Sequence, residues 1–169
     1  MPDRHAIPAA SGKLLEAGRF RHGDQLVIAV AGEIDVSSVG VLHRALRQEM
    51  PSVTVLDLSE VTFLGAAGLG AIAGAAERAK SERKRLGLVV KSHVVSRALR
   101  IVGMDTFIPI FSSCSSAVHE LSRAQRPPGT RAQNRQDSVD RQSSSSIDAA
   151  MKRFLAAYAM EDPWQSKGR

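Results

Sequence analysis

Only one cysteine, Cys114, stands in a chain of 169 residues. No disulfide can form within the chain, and a reducing compartment, the cytoplasm, is expected. Aromatic residues make up 4% of the chain against 43% for all hydrophobic types, so a core has to be built from Val, Leu, Ile and Ala. No apolar run approaches the length that crosses a bilayer, and residues 1–13 lack the apolar centre of a signal peptide. Neither membrane insertion nor export is expected. The five histidines (His5, His22, His43, His93, His119) are scattered without ligand spacing and without acidic or thiol companions, which argues against zinc. No Gly-Lys-Ser/Thr phosphate loop occurs, and Gly65, Gly68 and Gly70 reverse the spacing of the dinucleotide fingerprint, with no ribose-binding acid on schedule. Ser96, His93 and Asp105 form a triad on paper only, since helix spacing explains them. No catalytic residue, metal or cofactor is predicted, and the chain is not expected to be an enzyme.

Charge of one sign is also not concentrated anywhere. The formal net charge is +6, but residues 1–123 hold 15 Lys/Arg against 12 Asp/Glu and residues 124–169 hold 8 against 5. An excess spread so evenly does not describe a nucleic-acid-binding face. The densest run, Arg83-Lys84-Arg85, is placed by the pattern at a helix end, where the helix dipole favours cations.

What is present is a regular alternation of strand and helix patterns. Residues 14–21 read as a short edge strand and 26–31 as a buried one, with His22-Gly23-Asp24 as the turn between them. Ser37 or Ser38 would cap a helix whose Val39, Leu42, Leu46 and Met50 form a stripe, stopped by Pro51. Residues 53–58 are a β-branched apolar run of strand length. Leu69, Ile72, Ala73 and Ala76 then recur at helical spacing, and the small, apolar segment 63–68 lies between. Residues 86–90 give a further strand. A short helix over 94–102, with Val95, Leu99 and Val102 on one face, ends at Gly103. An edge strand containing Pro109 comes next, then a helix capped by Ser115 or Ser116 and running to Ala124.

Two separated motifs carry a family resemblance. Leu56-Asp57-Leu58, Val61-Thr62-Phe63-Leu64 and Gly68-Leu69-Gly70 match the signature of the STAS domain family of anti-sigma factor antagonists, and Gly32-Glu33-Ile34-Asp35 resembles the family's second motif. The resemblance implies an α/β fold: a mixed sheet of four to five strands with about four helices mainly on one side. In the family, Asp-Ser-Ser/Ala precedes the Gly-Leu-Gly, and its second serine is phosphorylated. Gly65, Ala66 and Ala67 stand there, so Ala67 occupies the position of a lost phosphorylation site. Glycine is an acceptable N-cap, so the change should cost the helix only a few tenths of a kcal/mol.

The resemblance further implies a partner, an anti-sigma factor of the histidine-kinase-like ATPase type, met through Asp35, Leu64, Gly65, Ala66, Ala67, Gly68 and Leu69. Asp57 reads more readily as a carboxylate bonding the turn after its strand. The implied function is an anti-sigma factor antagonist that frees a sigma factor and cannot be switched by phosphate at the usual helix-start serine. The alternative is a non-catalytic scaffold or accessory subunit of a stress-signalling or transporter complex. No nucleic acid or membrane is expected as partner, and a homodimer is compatible with either function. By composition, residues 1–13 are a flexible N-terminus, 14–124 the domain, 125–146 a disordered linker, 147–160 an amphipathic C-terminal helix and 161–169 a tail. On that helix Ile147, Met151, Phe154, Leu155 and Tyr158 share one face. A helix so short is marginal alone in water and needs something to dock on.

Overall fold

The computed structural model describes residues 14–124. The expectations for 1–13, 125–146, 147–160 and 161–169 lie outside the described residues. The elements come in the order β1 (Glu16–His22), β2 (Gln25–Ile34), α1 (Val39–Arg47), β3 (Val53–Leu64), α2 (Ala66–Ser81), β4 (Arg85–Val89), α3 (His93–Ile101), a single 3-10 turn (Met104–Thr106), β5 (Ile110–Phe111) and α4 (Cys114–Arg123). The sheet has five strands in the order β1-β2-β3-β4-β5; β1 and β2 are antiparallel and the remaining pairs parallel. This is the mixed α/β sheet with four helices that the resemblance implies.

Sheet order explains helix placement. From β2 to β5 the chain steps always to the adjacent strand in the same direction, so right-handed crossovers put every connecting helix on one face. That face holds the larger core: Leu26, Ile28, Leu56 and Leu88 of the strands against Leu42, Ile72 and Leu99 of α1, α2 and α3. On the opposite face Val27, Ala29, Val53, Val55 and Val89 meet α4 through Ala117, Val118 and Leu121. Because both faces are covered, β2 and β3 read as near-continuous apolar runs. The two cores use small branched side chains throughout, in keeping with the scarcity of rings.

Several boundaries differ from the sequence expectations, for local reasons. β3 does not stop at Leu58; it continues to Leu64 beside β2, which itself runs to Ile34. The extension is irregular, because Ala29 pairs with Asp57 but Ala31 with Glu60, and Gly32 pairs with Val61 but Glu33 with Phe63. Each shift inserts one extra residue in β3, a bulge, which breaks the alternation a strand is recognised by. α1 ends at Arg47, before Pro51, and Met50 is buried beyond the helix rather than on its stripe. The orphan carbonyls of that end are taken by two arginines: Arg19 of β1 donates to Ala45 O and, at 2.8 Å, to Glu49 O, while Arg78 of α2 donates to Leu46 O.

Helix α2 turns a different face inward than the spacing suggested: Gly68, Ala71, Ile72, Ala75 and Ala79 are buried, whereas Leu69, Ala73 and Ala76 are half-buried. With Ala and Gly nearly all round, hydrophobic pattern alone cannot orient it. Its last-turn cations are Arg78 and Lys80; Arg83 lies past the helix in a left-handed conformation (φ 55°) and Arg85 is in β4. Val102, expected on the buried stripe of α3, is half exposed, because the helix stops at Ile101 and Gly103 turns the chain with φ 71°. The cap of α4 is Ser113, not Ser115 or Ser116; its Oγ accepts from Ser116 N–H at 3.3 Å.

Candidate functional site

The C-terminal ends of β2 and β3 and the start of α2 converge on one corner of the domain. Gly65, the residue between β3 and α2, donates its N–H to Ile34 O at 2.8 Å, which ties the second motif to the first. A β-carbon placed on Gly65 would lie 3.7 Å from Asp35 Cα and 3.2 Å from Phe63 Cε1, so the two loops touch. Gly68 is packed more tightly still. A β-carbon there would fall 2.5 Å from Ile34 Cγ2 and 2.6 Å from Leu64 Cδ1, so only hydrogen at this position lets α2 sit down on the strand ends.

Asp35 organises the turn before α1. Its Oδ1 accepts from Ser37 N–H at 2.8 Å, Ser37 Oγ–H at 2.7 Å and Ser38 N–H at 2.9 Å. The Ser37 hydroxyl most of all, and then the Ser38 amide, hold the Asp35 carboxyl at about 2 instead of 3.8. Ser38 Oγ in turn accepts from Asp35 N–H at 3.0 Å and donates to Glu33 O at 2.7 Å. Asp35 is therefore a fixed anion at neutral pH, held on the rim of the corner by the turn it organises.

The predicted contact residues divide by exposure. Asp35, Gly65 and Ala67 are partly exposed and Ala66 is exposed, while Leu64 and Gly68 are buried and Leu69 is half-buried against the core. Leu64 and Gly68 thus support the corner from beneath and present no side chain to a partner. Two residues not among the predicted contacts take their place: Val36, 84% exposed, and Phe63, a motif residue, 47% exposed. Both flank Asp35 and Gly65. An apolar residue between Asp35 and Ser37 in a polar turn was the available signal for Val36; Phe63 was hidden because the bulge that turns it outward has no mark in the sequence.

Asp57 sits elsewhere, buried between β3 and α4. Its Oδ1 accepts from Ser59 N–H at 2.9 Å, beside the first bulge, and its Oδ2 accepts from Cys114 Sγ–H at 3.3 Å. Cys114 is the first residue of α4, where a carboxylate is favoured by the helix dipole. Asp57 is thus a structural acid, and Cys114 is buried. Among the described residues no group of His, Cys, Asp or Glu could hold a metal ion, and no helix is long and apolar enough to cross a membrane.

Comparison with known proteins agrees with this architecture. A family profile described as "Mlab, STAS domain" matches residues 18–110. The anti-sigma-F factor antagonist RsfB of Mycobacterium tuberculosis is 30% identical over 100 residues, covering 57% of this chain and 81% of RsfB. A crystal structure of an anti-sigma factor antagonist from Mycobacterium paratuberculosis superposes with TM-score 0.60 at 26% identity, over 65% of this chain and 96% of the other. The unphosphorylated form of SpoIIAA, at 16% identity, shares the fold with TM-score 0.54 over 66% of this chain and all of SpoIIAA. With the β2 and β3 motifs joined at one corner and the profile spanning the sheet from β1 to β5, the chain belongs to the STAS domain family.

Proposed function

We propose that this protein is a non-enzymatic anti-sigma factor antagonist: it binds a kinase-type anti-sigma factor and so frees a sigma factor. The similarity to the mycobacterial antagonist RsfB carries this reading. The corner offers a suitable contact surface, with the fixed charge of Asp35 beside the exposed side chains of Val36 and Phe63 and the methyl-sized surface of Ala66 and Ala67. Exposed apolar side chains bordered by a polar, charged rim follow the usual anatomy of an interface. Small residues at 65–67 would let a partner loop approach the start of α2 closely.

The proposal includes a mode of regulation. A phosphate at position 67 would add roughly two negative charges and three acceptor oxygens to the surface. Ala66 and Ala67 have no hydroxyl to receive it, and neighbouring hydroxyls are engaged in the turns: Ser38 Oγ donates to Glu33 O at 2.7 Å and Thr62 Oγ1 to Gly32 O at 3.4 Å. The antagonist would therefore remain competent in the presence of kinase and ATP.

Calorimetric titration with the cognate anti-sigma factor tests the surface. Ala67→Glu and Val36→Asp should each weaken binding at least tenfold without lowering the melting temperature, since both positions face solvent and an acid is favoured in the first turn of α2. Unchanged affinity in both variants would remove the corner from the interface. Absence of binding by the wild type would favour the scaffold or accessory-subunit reading. Incubation with the kinase and ATP should leave 65–70 unphosphorylated, and Ala67→Ser should restore partial uptake.

A further inference from the structure

A second exposed apolar surface lies on α3. Val95 and Leu99 of this helix are in the core, whereas Val94 is 58% and Ile101 74% exposed, and Ala98 between them is half-buried. Positions 94, 98 and 101 are spaced i, i+4 and i+7, so they share one face. Single exposed hydrophobics are ordinary, but aligned ones make a contiguous patch of the kind that marks an interaction surface.

Charge says what meets it. Residues 90–104 carry Lys91, Arg97 and Arg100 and no Asp or Glu. Lys91 stands at the positive end of the helix dipole, where a cation is disfavoured, so the helix itself does not account for it. Among the described residues the ion pairs join Arg21 to Glu49, and Arg78 and Lys84 to Glu82; none takes up the three cations of α3. The Asp35 corner has the opposite character. Segments 32–38 and 59–67, which build it, carry Glu33, Asp35 and Glu60 and no Lys, Arg or His. Glu33 and Asp35 are partly exposed and Glu60 exposed, and Glu33 is the ladder neighbour of Phe63. The domain therefore shows two apolar surfaces of opposite charge: Val36 and Phe63 among acids, Val94 and Ile101 among cations. Two copies meeting through α3 would set Arg97 and Arg100 against themselves, and two meeting through their corners would set Asp35 against itself. Like charges brought together cost affinity. Corner against α3 is the pairing that matches in both charge and apolarity.

We propose that the protein associates with itself through this contact, the Asp35 corner of one copy seated on α3 of another. The self-contact does not depend on the anti-sigma factor reading. Its regulatory consequence does rest on that reading: the second copy covers the corner that the anti-sigma factor needs, so the corner is freed by dilution or by a competing partner, with no phosphate at position 67.

Sedimentation of the full chain tests it without any anti-sigma factor, over a hundredfold range of concentration up to about 1 mM. The wild type should pass from monomer to larger species as concentration rises, and raising salt from about 0.05 to 0.5 M should weaken the association at least tenfold. Ile101→Asp should weaken it by a similar factor. Arg97→Glu with Arg100→Glu reverses the charge of α3, and Val36→Lys with Glu60→Lys reverses that of the corner. Each double variant alone should stay monomeric while keeping the circular dichroism spectrum of the wild type. Mixed one to one, the two should associate again, because an unaltered corner then meets an unaltered α3. Four results overturn the proposal: a wild type monomeric across the whole range, either double variant associating as the wild type does, a mixture that stays monomeric, or association that strengthens with salt. Failure of the protein to bind an anti-sigma factor changes none of these readouts, so the two readings fail separately.

Discussion

Replacing either of two glycines of α2 by alanine should have opposite effects on stability, and the difference measures how closely that helix is seated. At Gly74, a β-carbon meets nothing within 4 Å. Gly74→Ala should therefore stabilise the domain by up to about 1 kcal/mol, the difference in helix propensity between the two residues. Gly68→Ala gains part of that same term but forces a methyl group to 2.5 Å from Ile34 Cγ2 and 2.6 Å from Leu64 Cδ1. Ordinary contact needs about 1 Å more. Leu64 can turn its terminal methyl, but Ile34 is β-branched and fully buried, so its Cγ2 cannot rotate away without a new clash. The start of α2 must lift instead, at the roughly 1–3 kcal/mol typical of overpacking. The net expectation is a loss of about 1–2 kcal/mol for Gly68→Ala, so the two variants should differ by about 2–3 kcal/mol. Urea unfolding followed by circular dichroism resolves such a gap, and at a few °C per kcal/mol for a domain of this size so does a thermal scan. If Gly68→Ala proves as stable as Gly74→Ala, the close seating of α2 on the ends of β2 and β3 is wrong.

The carboxyl of Asp35 should titrate near 2 by NMR, and Ser37→Ala, which removes its largest stabilising bond, should move the midpoint up toward 3.8. Because the folded value is depressed, whatever stability this turn contributes is complete above about pH 4 and is lost as pH falls toward 2. Arg78→Met strips a charged donor from Leu46 O at the end of α1 and should cost about 1–2 kcal/mol, read as a lowered urea midpoint. Asp57→Ala leaves the part-buried Ser59 amide without its acceptor and should cost about 1–2 kcal/mol, whereas Asp57→Asn keeps an acceptor oxygen and should cost visibly less; equal losses in the two would refute the role given to that oxygen.

The sequence made the alternation of elements legible because the central strands stand out as apolar runs and most helices carry an apolar period. Legibility failed where a local irregularity or a cross-chain contact decides the outcome. β3 looked six residues shorter than it is, because the bulges after Asp57 and at Thr62 break the period while the pairing with β2 continues. The end of α1 could not be read from its own residues, since Arg19 and Arg78, far away in sequence, cap it. At the corner, Asp35 and the glycines were visible as motifs. That Leu64 and Gly68 lie underneath, and that Val36 and Phe63 lie on top, depends on how Ile34 meets α2. The inward face of α2 was misjudged for a related reason: a helix of alanine and glycine is oriented by what fits closest, which its own pattern does not state.

The strand order has a consequence during synthesis. Each strand pairs with the one made just before it, so the sheet can grow from β1 onward without waiting for distant partners, and its three-helix face is covered as it grows. The other face has to wait. Val27, Ala29, Val53, Val55 and Val89 are flanked by Phe20 and Phe111 and have their helical cover from α4, the last described element to emerge. A nascent chain halted just before Cys114 would have its whole sheet and one finished core, yet would show an uncovered valine-rich surface across the three central strands. That interval, rather than the assembly of the sheet, is where this protein is most exposed to chaperones and to other copies of itself.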